Sequence, residues 1–281
     1  MSLPDFLIVG AMKCGTSTLQ AQLASQQGVF MTTPKEPNFF SDDDVYERGV
    51  DWYRGLFAGA AEGSLKGEAS THYTKAPTYP NCIERMKAVL EPPKIIYMIR
   101  NPVDRIVSQY IHEWTMGKTK GDIAAEVAEN PAFEAYSRYA DQIAPYVEWV
   151  GAENIYLSSM ERLKADGPAE LAAVCAFLGL PQPTWVREAA QMNSSAERIR
   201  RFPGSDLLIH HPFAAALRRR LVPQALRSFI KERLQITERP TLTPDQYDAL
   251  TAKFQRDFER LKVWFPDTAR YAECYETQDR G

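Results

Sequence analysis

The sequence predicts an α/β fold in three layers, a central parallel sheet between helices, with a helical C-terminal part. Three observations predict it. Phe6-Leu7-Ile8-Val9 and Ile95-Ile96-Tyr97-Met98-Ile99 are unbroken apolar runs of the length and composition of strands covered on both faces. Each is followed at once by a turn and a helix-opening signal, so strands alternate with helices and no internal repeat is visible. A chain of 281 residues that is 44% hydrophobic and 25% charged can bury a full core. We expect one domain over 1–281, with an α/β core in 1–180 and a mainly helical lid and C-terminal helices in 190–281.

Gly10 ends the first strand, and Ala11-Met12-Lys13-Cys14-Gly15-Thr16-Ser17-Thr18 follows. Gly15 lets the backbone approach a ligand closely, and three hydroxyls lie beside the free N–H groups that open the next helix. Such a turn binds an anion, most often a phosphate. The spacing Gly10-x-x-x-x-Gly15 makes the turn P-loop-like, but Thr16 stands where a nucleoside triphosphatase carries lysine, and the cation sits inside the loop as Lys13. Cys14 reads either as a thiolate favoured by the helix start or as a small loop residue.

A helix over 18–27 ends before Gly28, and Val29-Phe30-Met31 begins a short extended piece. Pro34-Lys35-Glu36-Pro37-Asn38-Phe39-Phe40 is held in a loop by its prolines. Glu36 there is a candidate general base for an acceptor hydroxyl or amine, or a surface glutamate in a turn. Residues 49–57 form an aromatic amphipathic helix in which Trp52 and Tyr53 are structural. Gly67-Glu68-Ala69-Ser70-Thr71-His72-Tyr73 reads as the end of a second strand, where open α/β sheets gather ligands. His72 is the alternative base, or a hydrogen-bonded structural residue. After the strand at 95–99, Arg100 offers a two-pronged phosphate donor, Pro102 suits the first turn of a helix, and Ser108 adds a hydroxyl.

Residues 117–130 read as a polar, mobile excursion near the acceptor cleft, and 133–150 as a helix interrupted at Pro145. A strand at 155–157 leads into a turn carrying Glu161. A helix over 171–178 closes at Gly179 and Pro181, which brings the parallel strands to three or four. Arg198, Arg200 and Arg201 lie in a basic segment, and Arg218, Arg219 and Arg220 read as a solvated face. A last helix starts at Leu242-Thr243-Pro244 and returns Phe254, Phe258 and Leu261 to the domain.

A net charge of −3 gives no bulk case for nucleic acid. No stretch has the length of a membrane span, and Met1-Ser2-Leu3-Pro4-Asp5 lacks a basic leader, so a cytoplasmic protein is expected. Cys14, Cys82, Cys175 and Cys274 form no Cys-x-x-Cys pair, which points to reduced thiols and away from a zinc site.

Three stretches together resemble the sulfotransferases that use 3′-phosphoadenylyl sulfate (PAPS). Lys13-x-Gly15-Thr16-Ser17 is similar to their 5′-phosphosulfate loop. Arg100-x-Pro102-x-x-Arg105-x-x-Ser108-x-Tyr110 is similar to their 3′-phosphate site. Glu36-x-x-Phe39-Phe40, followed by the aromatic helix at 49–57, resembles the heparan sulfate glucosaminyl enzymes, in which this glutamate is the base.

The resemblance implies PAPS as co-substrate, adenosine 3′,5′-bisphosphate (PAP) as product and no metal. It assigns Lys13, Cys14, Gly15, Thr16, Ser17, Thr18, Arg100 and Ser108 to the nucleotide, makes 1–180 the nucleotide-binding core, and implies that the basic segment of Arg198, Arg200 and Arg201 lies as a lid over the nucleotide. Lys13 would stabilise the leaving phosphate and Glu36, or else His72, would serve as base. Ala69 departs from the pattern, because the glucosaminyl enzymes carry lysine there. The acceptor is expected to be a small molecule or carbohydrate, acted on by a bacterial-type soluble member. Two rivals are a small-molecule kinase, which would need Mg²⁺ and an acid where Arg100 stands, and a catalytically silent nucleotide-binding module.

Overall fold

A computed structural model describes residues 3–119, 121–190 and 238–275. Five parallel strands form the sheet: β1 (Phe6–Gly10), β2 (Val29–Met31), β3 (Leu65–Ala69), β4 (Lys94–Ile99) and β5 (Ile155–Ser159), in the order β2-β3-β1-β4-β5. From β1 the chain first builds outward on one side through β2 and β3, then crosses to the other side for β4 and β5. The order therefore switches at β1, and the crevice beyond its carboxyl end is the ligand position of an open α/β sheet.

Helices follow the strands: α1 (Thr16–Ala24), α2 (Asp43–Tyr46), α3 (Val50–Gly55), α4 (Cys82–Val89), α5 (Pro102–Thr115), α6 (Ile123–Glu129), α7 (Ala132–Ala135), α8 (Tyr139–Val150), α9 (Met160–Ala165), α10 (Gly167–Leu178) and α11 (Arg187–Ala190). The C-terminal helix α12 (Pro244–Trp264) packs across α8 and α5. It opens on a capping box in which Thr243 and Gln246 satisfy each other's backbone N–H groups. The strands β1, β4 and β5 are buried along their whole apolar lengths, as the unbroken runs require.

The sheet has one strand more than the sequence suggests, because 29–31 is not a stray extended piece. It pairs with β3 from Val29 opposite Leu65 to Met31 opposite Gly67 and forms an edge. The polar excursion contains a helix, α6, whose Asp122 cap accepts from Ala125 N–H and whose Ile123 is buried. The helix over 133–150 breaks between α7 and α8, and α8 runs through Pro145. Pro145 is half-buried, and so is Asp141, whose carbonyl it leaves without an intrahelical donor. The basic segment around Arg198, Arg200 and Arg201 lies outside the described residues.

Candidate active site

The phosphate loop leaves the sheet where the β1–β4 register slips, with Ile8 opposite Ile96 and Gly10 opposite Tyr97. Gly10 has a φ of 153°, and a Cβ there would lie 1.9 Å from Thr74 Oγ1. Thr74 is fixed, since its hydroxyl donates to the Val9 carbonyl at 2.8 Å. Lys13 holds a φ of 68°, a left-handed conformation that L residues other than glycine rarely keep. Gly15, with a φ of 87°, opens α1 without a side-chain cap. The first helical bonds run from Thr18 and Leu19 back to the Gly15 carbonyl. The N–H groups of Gly15, Thr16 and Ser17 lie ahead of them at the positive end of the helix, the arrangement that receives an anion.

Thr16 is buried while Ser17 and Thr18 are half-buried. Cys14 turns its thiol into the core against Tyr139, and burial pushes it up to about 12. It is a neutral thiol, and what it offers a ligand is its backbone.

Glu36 sits in a second strained turn, with φ of 55° at both Glu36 and Asn38. The turn is tied to the end of β3 by Glu36 N–H on the Ala69 carbonyl at 3.0 Å and by Asn38 N–H on Ser70 Oγ at 3.2 Å. Phe39 stacks on Tyr53 with ring centroids 4.5 Å apart, so the aromatic helix is the wall that holds this loop. Tyr53 and Ser70 both donate to the buried Glu68 carboxylate. Trp52 and Tyr53 are thus structural, as read.

The Glu36 carboxylate accepts from Lys35 Nζ at 2.6 Å and from Thr71 Oγ1 at 3.3 Å. Burial alone would raise it. The Lys35 charge and hydrogen bond, then Lys75 and His72, outweigh burial and hold Glu36 below the ordinary carboxylate value. It is ionised at neutral pH and able to take a proton.

His72 stacks on Tyr79 and places Nδ1 2.9 Å from Asp42 Oδ1. Burial and the nearby Lys75 lower its pKa despite Asp42. A neutral ring bonded this way carries its proton on Nδ1, with Nε2 as acceptor. Asp42 and Lys75 escaped the sequence reading. Asp42 begins an acidic run after Phe39-Phe40, a weak hint, and Lys75 has no spacing signal at all.

Arg100 emerges half-buried at the end of β4, and its carbonyl accepts from Tyr139 at 2.8 Å. Its guanidinium lies 3.7 Å from Asp104, which also pairs with Arg239. Ser108 is half-buried two turns into α5. Arg105, by contrast, is completely buried and bonds Ser137, Gln109 and the Phe133 carbonyl. It braces α5 from within. Glu161 accepts from Asn101 N–H at 3.0 Å and from Cys274 Sγ at 3.1 Å, so the C-terminal segment locks the turn after Arg100. The predicted groups therefore converge at the carboxyl ends of three neighbouring strands, β3, β1 and β4.

The family model of the sulfotransferase domain matches residues 3–262 of this chain. The chain belongs to the sulfotransferase domain family. Among curated relatives, heparan sulfate glucosamine 3-O-sulfotransferase 6 of Mus musculus is 32% identical over 187 residues, covering 63% of this chain and 52% of that protein. The membrane-associated sulfotransferase kil1 of Dictyostelium discoideum is 32% identical over 113 residues, covering 39% of this chain and 23% of that protein. The chain spans about half the length of the glucosamine sulfotransferases it matches.

A sulfotransferase from Alicyclobacillus acidocaldarius aligns with a TM-score of 0.65 at 26% identity, covering 94% of this chain and 96% of that one. The sulfotransferase domain from the curacin biosynthetic pathway shares the fold at a TM-score of 0.50 and 14% identity, covering 90% and 98%. Within this sulfotransferase domain, no described helix is long and apolar enough to cross a membrane. All four cysteines are free and buried.

Proposed function

We propose that this sulfotransferase domain transfers a sulfuryl group from PAPS to a hydroxyl or amine of a small-molecule or carbohydrate acceptor. The observation that carries the reading is the pairing of an anion-receiving helix start at the end of β1 with an ionised carboxylate anchored to the end of the adjacent β3. Both Lys13 and Glu36 sit at strained positive φ. Strain of this kind persists where the surrounding structure holds a functional geometry.

The PAP portion of the donor lies with its 5′-phosphate on the loop of Lys13, Cys14, Gly15, Thr16, Ser17 and Thr18, and its 3′-phosphate against Arg100 and Ser108. The acceptor oxygen or nitrogen attacks sulfur in line. Its proton passes to Glu36, with His72 as the alternative base, the new bond to sulfur forms, and the bond from sulfur to the phosphate oxygen breaks. The electron pair stays on PAP, where Lys13 and the loop N–H groups stabilise the growing charge, the contribution expected to dominate. The C-terminal helix α12 belongs to the same domain, packed across α8 and α5, and the expected lid over 191–237 lies outside the described residues. A carbohydrate acceptor is favoured by the glucosamine 3-O-sulfotransferase relative, and Ala69 separates this chain from the lysine pattern of glucosaminyl enzymes.

The deciding experiment is calorimetric titration with PAP, with and without Mg²⁺, beside ATP. Metal-independent binding of PAP that Arg100→Ala abolishes supports the donor site, and Glu36→Gln then lowers turnover by about 10²–10⁴ in an acceptor screen while PAP affinity holds. Preference for ATP with Mg²⁺ would return the chain to a kinase.

A further inference from the structure

The end of β3 carries a charge that the mechanism above does not use. Lys75 follows the 3-10 turn Thr71–Thr74 and is only 9% exposed, deep for a lysine. Its place is fixed on both sides. Lys75 N–H donates to the His72 carbonyl at 3.2 Å, and its own carbonyl accepts from Tyr79 N–H at 3.2 Å. The Gln142 side chain clamps Ala76 through N–H at 2.9 Å and carbonyl at 2.8 Å. On the other side Thr74 is bonded to Val9, at the mouth of the phosphate loop.

Glu36, His72, Arg105, Glu113 and Lys118 are the charged groups that act on this ammonium or that it acts on. Among the described residues it closes no hydrogen bond and no ion pair. Glu36, the carboxylate that acts on it most strongly, is already bonded by Lys35 and Thr71. Burial, aided by Arg105 and Lys118, pushes the Lys75 ammonium down to about 8. A largely buried cation without a bonded anion is costly, and the chain keeps one between Thr74, which is bonded to Val9, and Ala76, which Gln142 clamps.

We propose that Lys75 is a further substrate contact, its ammonium receiving the sulfuryl oxygens of the donor between the phosphate loop and Glu36. The proposal rests on the donor reading above, and the two separate experimentally because PAP lacks the sulfuryl group that PAPS carries. In parallel titrations of the whole protein, Lys75→Met weakens PAPS binding at least tenfold and leaves PAP binding within twofold of the parent. Lys75→Arg restores most of the PAPS affinity. The parent's affinity for PAPS declines as pH rises above about 8, whereas that of Lys75→Arg stays level, since a guanidinium does not titrate there. Equal loss for both nucleotides makes Lys75 structural and overturns the contact. Undiminished PAPS binding by Lys75→Met overturns it as well. A parent that binds neither nucleotide overturns the donor reading, and the contact falls with it.

Discussion

At Glu36 the neighbours, not exposure, set the charge. The Lys35 pair is a quarter to a third exposed and so adds little to stability, within about 1 kcal/mol. Its effect is on protonation, where it and Lys75 outweigh burial. The same logic makes Cys14 inert, because burial there outweighs the arginines. Among the loop residues the sharpest test is Gly10. An added methyl meets the Thr74 hydroxyl at 1.9 Å in a backbone conformation that favours glycine. Gly10→Ala is therefore expected to destabilise by on the order of 3 kcal/mol or more and to lose PAP binding, read by urea unfolding and calorimetry. An unchanged midpoint would mean that the turn between β1 and α1 yields easily. Lys13, Glu36 and Arg100 were legible because each lies in a local motif of fixed spacing. Asp42 and Lys75 were not. Asp42 reaches His72 across 30 positions, and Lys75 matters through burial, which no local pattern announces.

Among the elements, those with an unbroken apolar run or a capping signal were read closely, and those defined by a partner were not. Strand β4 and the start of α5 at Pro102 follow from local chemistry. Strand β2 is three residues that become an edge only because β3 is beside them. The α7–α8 break was misplaced at Pro145 because a proline tolerated at a half-buried face looks, in sequence, like one that ends a helix.

Helix α12 shows a cost as well as a gain. It delivers Leu250, Phe254 and Leu261 to the core, and with them Asp257, whose carboxylate accepts from Ala140 N–H at 3.0 Å near the start of α8. Burial raises Asp257 from 3.8 to about 6, against the Ala140 hydrogen bond. Between those values the folded state holds more proton than the unfolded chain, so stability falls as pH rises through the window and the loss is complete above about 6. Asp257→Asn keeps an acceptor for Ala140 and removes the charge. It should stabilise by on the order of 2 kcal/mol at pH 7.5 and by nothing at pH 3.5, measured by denaturant midpoints. A gain independent of pH would show that the charge is not the cause.

Across the whole molecule, the proposed donor contacts come from pieces far apart in sequence that the sheet order alone brings together. The loop after β1 and Arg100 after β4 are neighbours because β1 and β4 pair from Phe6 opposite Lys94 onward. Strand order was beyond the sequence, which shows runs but not their pairing. A ligand spanning both must then be felt by the fold as a unit. The turn after Arg100 is locked to Cys274 through Glu161 and Asn101, and α5 is covered by α12. PAP at one hundred times its dissociation constant should therefore add about 2.7 kcal/mol to unfolding and raise Tm by about 5–10 °C. On the proposed assignment Lys13, Arg100 and the helix start neutralise the phosphates, so chelator should leave the shift intact, whereas Arg100→Ala should remove most of it. A shift that instead demanded Mg²⁺ would place the phosphate charge on a metal and reverse the assignment of the loop.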